Sequence, residues 1–204
     1  MVPLLFLASA LFGLAFLHPY IVYPLSLRAM KARPVAPGTG PLPTASLLFS
    51  AYNEERALPA KLANIEAIKA LYPELEVIAY SDASSDGTLA LLESRPDLLT
   101  VIAARQRAGK ATGMRRMVEC ASGEICIYTD ANVLLDPPAV GRLLDYFRNP
   151  EIGGVSGTLR YINDTDSATA ELGGLYWRLE EKIKALESRC GSMMGADGSI
   201  FATR

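Results

Sequence analysis

The chain opens with a nearly uninterrupted apolar run over residues 2–27. About 20 consecutive apolar residues are enough to cross a bilayer as a helix, so this run predicts a transmembrane anchor. Pro19 and Pro24 should kink or end the helix, which transmembrane helices tolerate better than soluble ones do. Residues 28–44 are basic and then rich in proline and glycine, which is typical of a linker.

Beyond the linker, residues 45–204 alternate between two apolar patterns and form the predicted second domain. Short apolar runs rich in β-branched and aromatic residues predict buried strands at 45–50, 76–80, 98–103 and 125–128. Apolar residues at helical spacing follow each of them. This alternation indicates an α/β fold with a mainly parallel sheet, flanking helices and right-handed crossovers.

The last third of the chain continues less regularly. Residues 152–161 predict an extended segment or strand pair, and residues 170–189 predict an amphipathic helix. A glycine-rich turn at 191–199 then leads into a final strand.

Charge next to the apolar run predicts its orientation. Arg28, Lys31 and Arg33 follow the run directly, and no positive side chain precedes it. The positive-inside rule places the basic side in the cytoplasm, which predicts an anchor in the inner (plasma) membrane and a cytoplasmic domain. A secretory signal peptide is an alternative, but its basic n-region and a small-residue cleavage site are missing. An apolar helix packed on the domain is the other alternative.

Composition excludes several classes of function. The formal net charge of −2 leaves no basic footprint for nucleic acid. Cys120, Cys126 and Cys190 form neither metal-ligand spacing nor an even disulfide set, which favours free thiols. His18 is the only histidine and lies in the apolar run, so a histidine-based triad or zinc site is not expected.

Polar residues that suit ligand binding follow the ends of the predicted strands. They stand after the four strands in turn: Asn53 and Glu55, Asp82, Lys110, and Asp130 with Asn132. Each has an ordinary explanation alone, because acidic and amide residues favour turns and helix caps and most lysines are solvated. In open α/β sheets, however, ligands bind outside the carboxyl ends of the strands. We therefore expect these residues to share one site.

Asp130 and Asn132 suit a divalent cation. Their side-chain oxygens stand two residues apart at a strand end, and Mg²⁺ is usually held by one or two carboxylates together with substrate phosphates. The sequence thus predicts a metal–diphosphate site, with a turn that caps the next helix as the alternative.

Six segments together resemble the inverting glycosyltransferases of family two, which have the GT-A nucleotide-diphospho-sugar transferase fold. The segments are AYNEE, YSDASSDGT, RAGKATGM, TDANVLLDP, LYWRLEEKIKALES and GSMMGADGSIFATR. The second is similar to a motif usually written DDGSTDGT, and the fourth to the family's metal motif. The last two resemble the membrane-bound, polysaccharide-making branch that includes hyaluronan, chitin and cellulose synthases. The resemblance covers about residues 45–204.

The resemblance implies metal-dependent, inverting transfer of a sugar from a nucleotide-diphospho-sugar, in the first place a UDP-sugar, to a glycan or lipid-linked acceptor. It implies Mg²⁺ or Mn²⁺ at Asp130 and Asn132. It implies substrate contacts at Asn53, Glu55, Asp82, Lys110, Asp130, Gly195, Asp197 and Gly198. It also places the catalytic base in an acidic motif beyond Arg204, so the chain is expected to be C-terminally truncated.

Two departures from the family pattern keep other functions open. Asn132 is a neutral ligand where the family has an acidic one, and Ser81 replaces the first acidic residue of the second motif. Asn132, together with a catalytic base expected only beyond Arg204, leaves a non-catalytic nucleotide-sugar-binding or scaffold subunit as one alternative. A nucleotidyltransferase with a similar sheet is another.

Overall fold

The computed structural model describes residues 2–159, 168–196 and 198–204. Its helices are α1 (Val2–Leu17), α2 (Tyr23–Ala29), α3 (Leu58–Leu71), α4 (Thr88–Glu93), α5 (Lys110–Cys120), α6 (Pro137–Phe147) and α7 (Ala168–Cys190). Its strands are β1 (Ala45–Ala51), β2 (Glu76–Ser81), β3 (Thr100–Ala103), β4 (Ile125–Asp130), β5 (Gly154–Ser156) and β6 (Ile200–Thr203). The chain divides into two compact units, Met1–Val35 with Arg160–Gly195 and Ala36–Leu159 with Ala196–Arg204.

The apolar helix of the first unit does not end at its prolines. A π-helical segment, His18–Val22, joins α1 to α2, and helices commonly absorb a proline through such local widening. Leu5–Ala29 is therefore a continuous, strongly apolar helical span of 25 residues. By length and composition it could cross a membrane, and the membrane span remains a prediction.

In the first unit, the C-terminal end of α2 is hydrogen-bonded to the C-terminal end of α7. The Arg189 guanidinium donates to the Arg28 carbonyl at 3.0 Å and lies 3.4 Å from the carbonyls of Leu27 and Met30. The Tyr23 hydroxyl donates to Glu187 Oε1 at 2.6 Å. A basic group at the last carbonyls of a helix satisfies them and opposes the helix dipole.

The second unit contains a six-stranded sheet in the order β3-β2-β1-β4-β6-β5. β3, β2, β1 and β4 pair in parallel, whereas β6 is antiparallel to both β4 and β5. The predicted mainly parallel sheet is thus confirmed for its first four strands, and the sheet as a whole is mixed. The predicted extended segment at 152–161 is a strand only at β5, and residues 160 and 161 lie outside the described residues.

Helices cover both faces of the parallel strands. Alternate residues of β1, β2 and β4 pack with α3, α4 and α6 in the larger core. The residues between them pack with α5, chiefly around Tyr80 and Met117. Burial on both faces explains why these strands read as continuous apolar runs.

Register brings the strand ends to one edge of the sheet. Ser50 is opposite Asp130, Ala51 is opposite Ser81, and Ser81 is opposite Ala103. The loops after β1, β2 and β3 therefore begin at the same edge at which β4 ends, as the sequence predicts.

Candidate functional site

The loops after β1 and β2 are hydrogen-bonded to each other. Asn53 Oδ1 accepts from the Ser85 amide at 2.8 Å, and Glu55 Oε2 accepts from the Gly87 amide at 3.0 Å. In return, the Asp86 carboxylate accepts from the Glu55 amide at 3.2 Å. Asn53 and Glu55 thus lie at the predicted edge, where their side chains fix the second loop.

Asp82 fixes a third loop, the one between β3 and α5. Its carboxylate accepts from the amides of Ala108 at 2.8 Å and Gly109 at 3.0 Å, and the residue is only 4% exposed. Gly109 has a φ of +84°, a conformation that glycine adopts without steric cost. This bend turns both amides toward the carboxylate, so Asp82 determines where α5 begins.

Arg107 ties the same loop to the β1 loop. Its guanidinium carbon lies 4.0 Å from the centre of the Tyr52 ring, a distance at which a cation is attracted to the ring face. The loops after β1, β2 and β3 are therefore held together in one arrangement.

Lys110 is the first residue of α5, and its ammonium pairs with the Asp130 carboxylate at the end of β4. The Lys110 side chain is 50% exposed and that of Asp130 is 34% exposed, so solvent or a ligand can reach the pair. Three consecutive residues, 108–110, consequently link Asp82 to Asp130. The two carboxylates lie on one side of the molecule, as the sequence predicts.

A small cleft adjoins Lys110. It is lined on the α5 side by Lys110, Met114 and Met117, on the sheet by Leu48, Phe49, Ser50, Tyr128 and Thr129, and near β6 by Gly198 and Phe201. The Tyr128 and Phe201 rings stack at 4.5 Å. Gly198 thus contributes to the cleft, whereas Asp197 lies outside the described residues. Gly195 belongs to the first compact unit.

The donor set at Asp130 fits a hard cation only with help from a ligand. Asp130 supplies a carboxylate and the exposed Asn132 can supply an amide oxygen, both of which are hard donors. Among the residues that the structure describes, no group of three histidine, cysteine, aspartate or glutamate side chains gathers as a metal centre. A Mg²⁺ or Mn²⁺ ion here would take its remaining ligands from water and from a substrate diphosphate.

Lys61, on α3, is part of this region although the sequence analysis missed it. The residue is 0% exposed, and its Nζ donates to the Val133 carbonyl at 2.6 Å and lies 3.4 Å from Thr129 Oγ1. Burial lowers the pKa of Lys61 to about 7, an effect that the negative charge of Asp130 partly offsets. The helical spacing in the sequence does indicate that Lys61 is buried, because it lies on the apolar face of the helix with Leu58, Leu62, Ile65 and Ile68.

Residues 46–203 match Glycosyl transferase family 2. The chain therefore belongs to this family of sugar-transferring enzymes, as the motifs predicted.

Two named relatives illustrate the similarity in sequence. The chain is 30% identical over 122 residues to poly-beta-1,6-N-acetyl-D-glucosamine synthase of Staphylococcus aureus (strain COL), covering 58% of this chain and 29% of that protein. It is 28% identical over 178 residues to an N-acetylglucosaminyltransferase of Rhizobium meliloti (strain 1021), covering 84% of this chain and 41% of that protein. The chain thus spans less than half the length of either relative.

Solved structures confirm the GT-A fold. The mannosyltransferase PcManGT from Pyrobaculum calidifontis, in complex with GDP-Man and Mn²⁺, is similar with a TM-score of 0.77 and 24% identity over 96% of this chain and 55% of that one. TarS from S. aureus, in complex with UDP-GlcNAc, has a TM-score of 0.55 and 17% identity over 61% of this chain and 36% of that one.

Proposed function

We propose that this chain is the donor-binding part of a metal-dependent, inverting glycosyltransferase that acts in polysaccharide or glycolipid synthesis. Its donor is a UDP-sugar, with N-acetylglucosamine as the first candidate, and its acceptor is a glycan or a lipid-linked sugar. The observation that carries the proposal is the link from Asp82 through residues 108–110 to Asp130. It joins a cationic side chain and a carboxylate at the edge where nucleotides bind in α/β sheets.

Each residue at this edge has a distinct part in the proposal. Asp82 holds the loop that flanks the base and ribose, while Asn53 and Glu55 keep the neighbouring loop in place. Lys110 leaves its ion pair with Asp130 and pairs with the diphosphate, because the exposed ammonium can move toward the larger negative charge. Asp130, assisted by Asn132, would hold Mg²⁺ or Mn²⁺, and this cation would neutralise charge on the departing nucleoside diphosphate.

The acceptor side and the membrane complete the proposal. Gly195, Asp197 and Gly198 are proposed to border the acceptor, and the cleft beside Gly198 supports this for one of them. The apolar span Leu5–Ala29 is proposed as an inner-membrane anchor with the sheet domain in the cytoplasm. The basic residues that follow it support this orientation.

The choice of donor follows the relatives that share sequence. Both are named for N-acetylglucosamine. The likeness to the GDP-Man complex is at 24% identity and supports only the fold. UDP and GDP are therefore the two nucleotides to compare.

A thermal-shift experiment on the full chain in detergent tests the proposal. We expect UDP with Mn²⁺ to raise the melting temperature more than GDP with Mn²⁺ or UDP alone. Asp130→Ala should abolish the metal-dependent part of the rise. The control is Asp97→Ala, because Asp97 is an exposed carboxylate that pairs with Arg95. Absence of metal-dependent stabilisation by either nucleotide in the wild-type chain contradicts the proposal.

A non-catalytic donor-binding subunit is the second candidate, favoured by the neutral ligand Asn132. The two candidates differ in turnover. Transfer or hydrolysis of the sugar of UDP-N-acetylglucosamine by the chain in lipid nanodiscs with Mn²⁺ excludes the second candidate.

A further inference from the structure

Lys61 places a buried ammonium group under the end of β4. Removing an ammonium from water is costly unless it is hydrogen-bonded or paired. In the part of the chain that the structure describes, no carboxylate lies within ion-pair distance of Lys61. The group donates instead to the Val133 carbonyl at 2.6 Å, with Thr129 Oγ1 at 3.4 Å. The Lys61 ammonium thus contacts the short segment from Thr129 to Val133, and it lies 5.5 Å from the centre of the Phe49 ring.

That segment is the turn carrying both candidate cation ligands. Thr129 precedes Asp130, and Val133 follows Asn132. Side chains alternate between the faces of a strand, so Thr129 faces α3 while Asp130 faces α5, where Lys110 reaches it. Lys61 therefore holds the turn from the face opposite Lys110.

Asn64, a second residue of α3, is hydrogen-bonded to the chain just after this turn. Asn64 Nδ2 donates to the Leu135 carbonyl at 2.7 Å, and Asn64 Oδ1 accepts from the Leu135 amide at 2.8 Å. Residues three apart lie on the same face of a helix, so Lys61 and Asn64 form two adjacent attachment points. The turn after β4 is fixed to a helix in the core and not only to its own strand.

We propose that Lys61 is a positioning residue that holds the Asp130–Asn132 turn in the geometry needed for a cation–diphosphate complex. The inference rests on the proposed function of the same site. It adds a residue from a helix that the family motifs quoted above do not include. Lys110 leaves Asp130 when the donor binds, and Lys61 then maintains the position of the turn.

Two effects of Lys61 oppose each other. Its positive charge disfavours a cation nearby, whereas its hydrogen bond to Val133 orders the ligands of that cation. The direct contact is with the backbone of the turn, and Asp130 is reached only through the electrostatic field. Positioning therefore dominates, and removing the ammonium lowers cation affinity.

Calorimetric titration of the full chain with UDP, with and without Mn²⁺, tests this inference. In Lys61→Met we expect UDP affinity without metal to stay within about twofold of wild type. The enhancement of UDP binding by Mn²⁺ should fall at least tenfold. The matched control is Lys69→Met, because Lys69 lies on the same helix and also donates to a carbonyl, that of Leu75 at 3.3 Å. This control should leave both affinities unchanged.

Lys61→Gln is a second variant, because glutamine keeps an N–H donor on a side chain one atom shorter, and it should retain part of the Mn²⁺ enhancement. An unchanged or increased Mn²⁺ enhancement in Lys61→Met overturns the inference. Equal losses of UDP affinity with and without Mn²⁺ also overturn it, because they indicate general damage to the fold. A wild-type chain that binds UDP without any response to Mn²⁺ instead refutes the proposed function.

Discussion

Asp82→Asn tests whether the site depends on one buried carboxylate. The substitution preserves the shape of the side chain and changes only its hydrogen-bonding capacity. An aspartate accepts at both oxygens, whereas an asparagine accepts at one atom and donates at the other. In the wild type the two oxygens serve the amides of Ala108 and Gly109 at 2.8 and 3.0 Å. In the variant, one of these amides faces an NH₂ group.

The burial of Asp82 determines how much stability the 105–109 loop should lose. Asp82 is 4% exposed, so water cannot readily replace the lost acceptor. A hydrogen bond to a charged group contributes about 1.5–3 kcal/mol, and an unsatisfied buried donor costs a similar amount. We expect the ordered form of the 105–109 loop to lose about 2–3 kcal/mol. Since each 1.4 kcal/mol is a factor of ten, the loop should open roughly 30 to 150 times more often.

Hydrogen exchange measures this opening directly. Peptides that contain Ala108 and Gly109 should exchange faster in Asp82→Asn by that factor. UDP affinity should fall in parallel, because the proposed function places this loop beside the donor. Asp97→Asn is the control, since the Asp97 side chain is 60% exposed and pairs with Arg95. Unchanged protection at 108–109 would refute the reasoning. Faster exchange throughout the sheet would indicate global destabilisation.

Three other substitutions or conditions test the framework of the site. Ala83 has a φ of 56°, a conformation that costs an L-residue about 1–2 kcal/mol. Ala83→Gly removes this cost but increases the conformational entropy of the unfolded chain. The variant should therefore be more stable by about 0.5–1 kcal/mol in urea unfolding. Gly113→Ala should destabilise it by about 1–3 kcal/mol, because the new Cβ would lie 2.4 Å from the Tyr80 ring; a more stable variant contradicts this. The pKa of Lys61 falls from 10.5 to about 7 on folding, so the unfolded chain holds more protons above pH 7. Wild type should therefore gain stability relative to Lys61→Met as the pH rises from about 7, by up to about 1.4 kcal/mol per pH unit.

The parallel strands of the sheet could be predicted because each of them has a recognisable pattern in its own local sequence. Strands buried on both faces give continuous apolar runs, and the observed bounds of β1, β2 and β4 agree with those runs within two residues. β3 begins at Thr100, two residues later than predicted, because the chain before it turns through Arg95–Leu98 hydrogen bonds. The antiparallel pairing of β6 with β4 was not predictable, since it joins segments about 75 residues apart whose register no local pattern encodes.

The prolines of the first unit also show that a local sequence pattern does not determine every element. Pro19 lacks an amide and should interrupt a helix, yet the chain widens into the π-helical segment His18–Val22 and continues to Ala29. Whether a proline ends a helix or is absorbed depends on the residues around it. Here apolar residues on both sides favour continuation.

For the candidate site, the sequence predicted where residues lie better than what they contact. Strand order alone brings Asp82, Lys110 and Asp130 to one edge. The partners of Asn53 and Glu55 depend on the shape of the neighbouring loop, and both side chains are engaged by the backbone of residues 85–87. Lys61 was missed because a lysine is normally expected at the surface, although its helical position predicts burial.

Charge balance around Asp130 explains how a single carboxylate can serve in the proposed reaction. Lys110 already neutralises Asp130 from the α5 side, and the buried Lys61 adds positive potential from the α3 side. Asn132 contributes no charge, so this part of the site has no excess negative charge that would attract a divalent cation alone. In the proposed function a bound diphosphate would reverse this balance, because it would draw Lys110 away and supply phosphate oxygens beside the freed carboxylate. The neutral residue at 132 is therefore compatible with metal use, provided that the cation binds together with the donor and not before it.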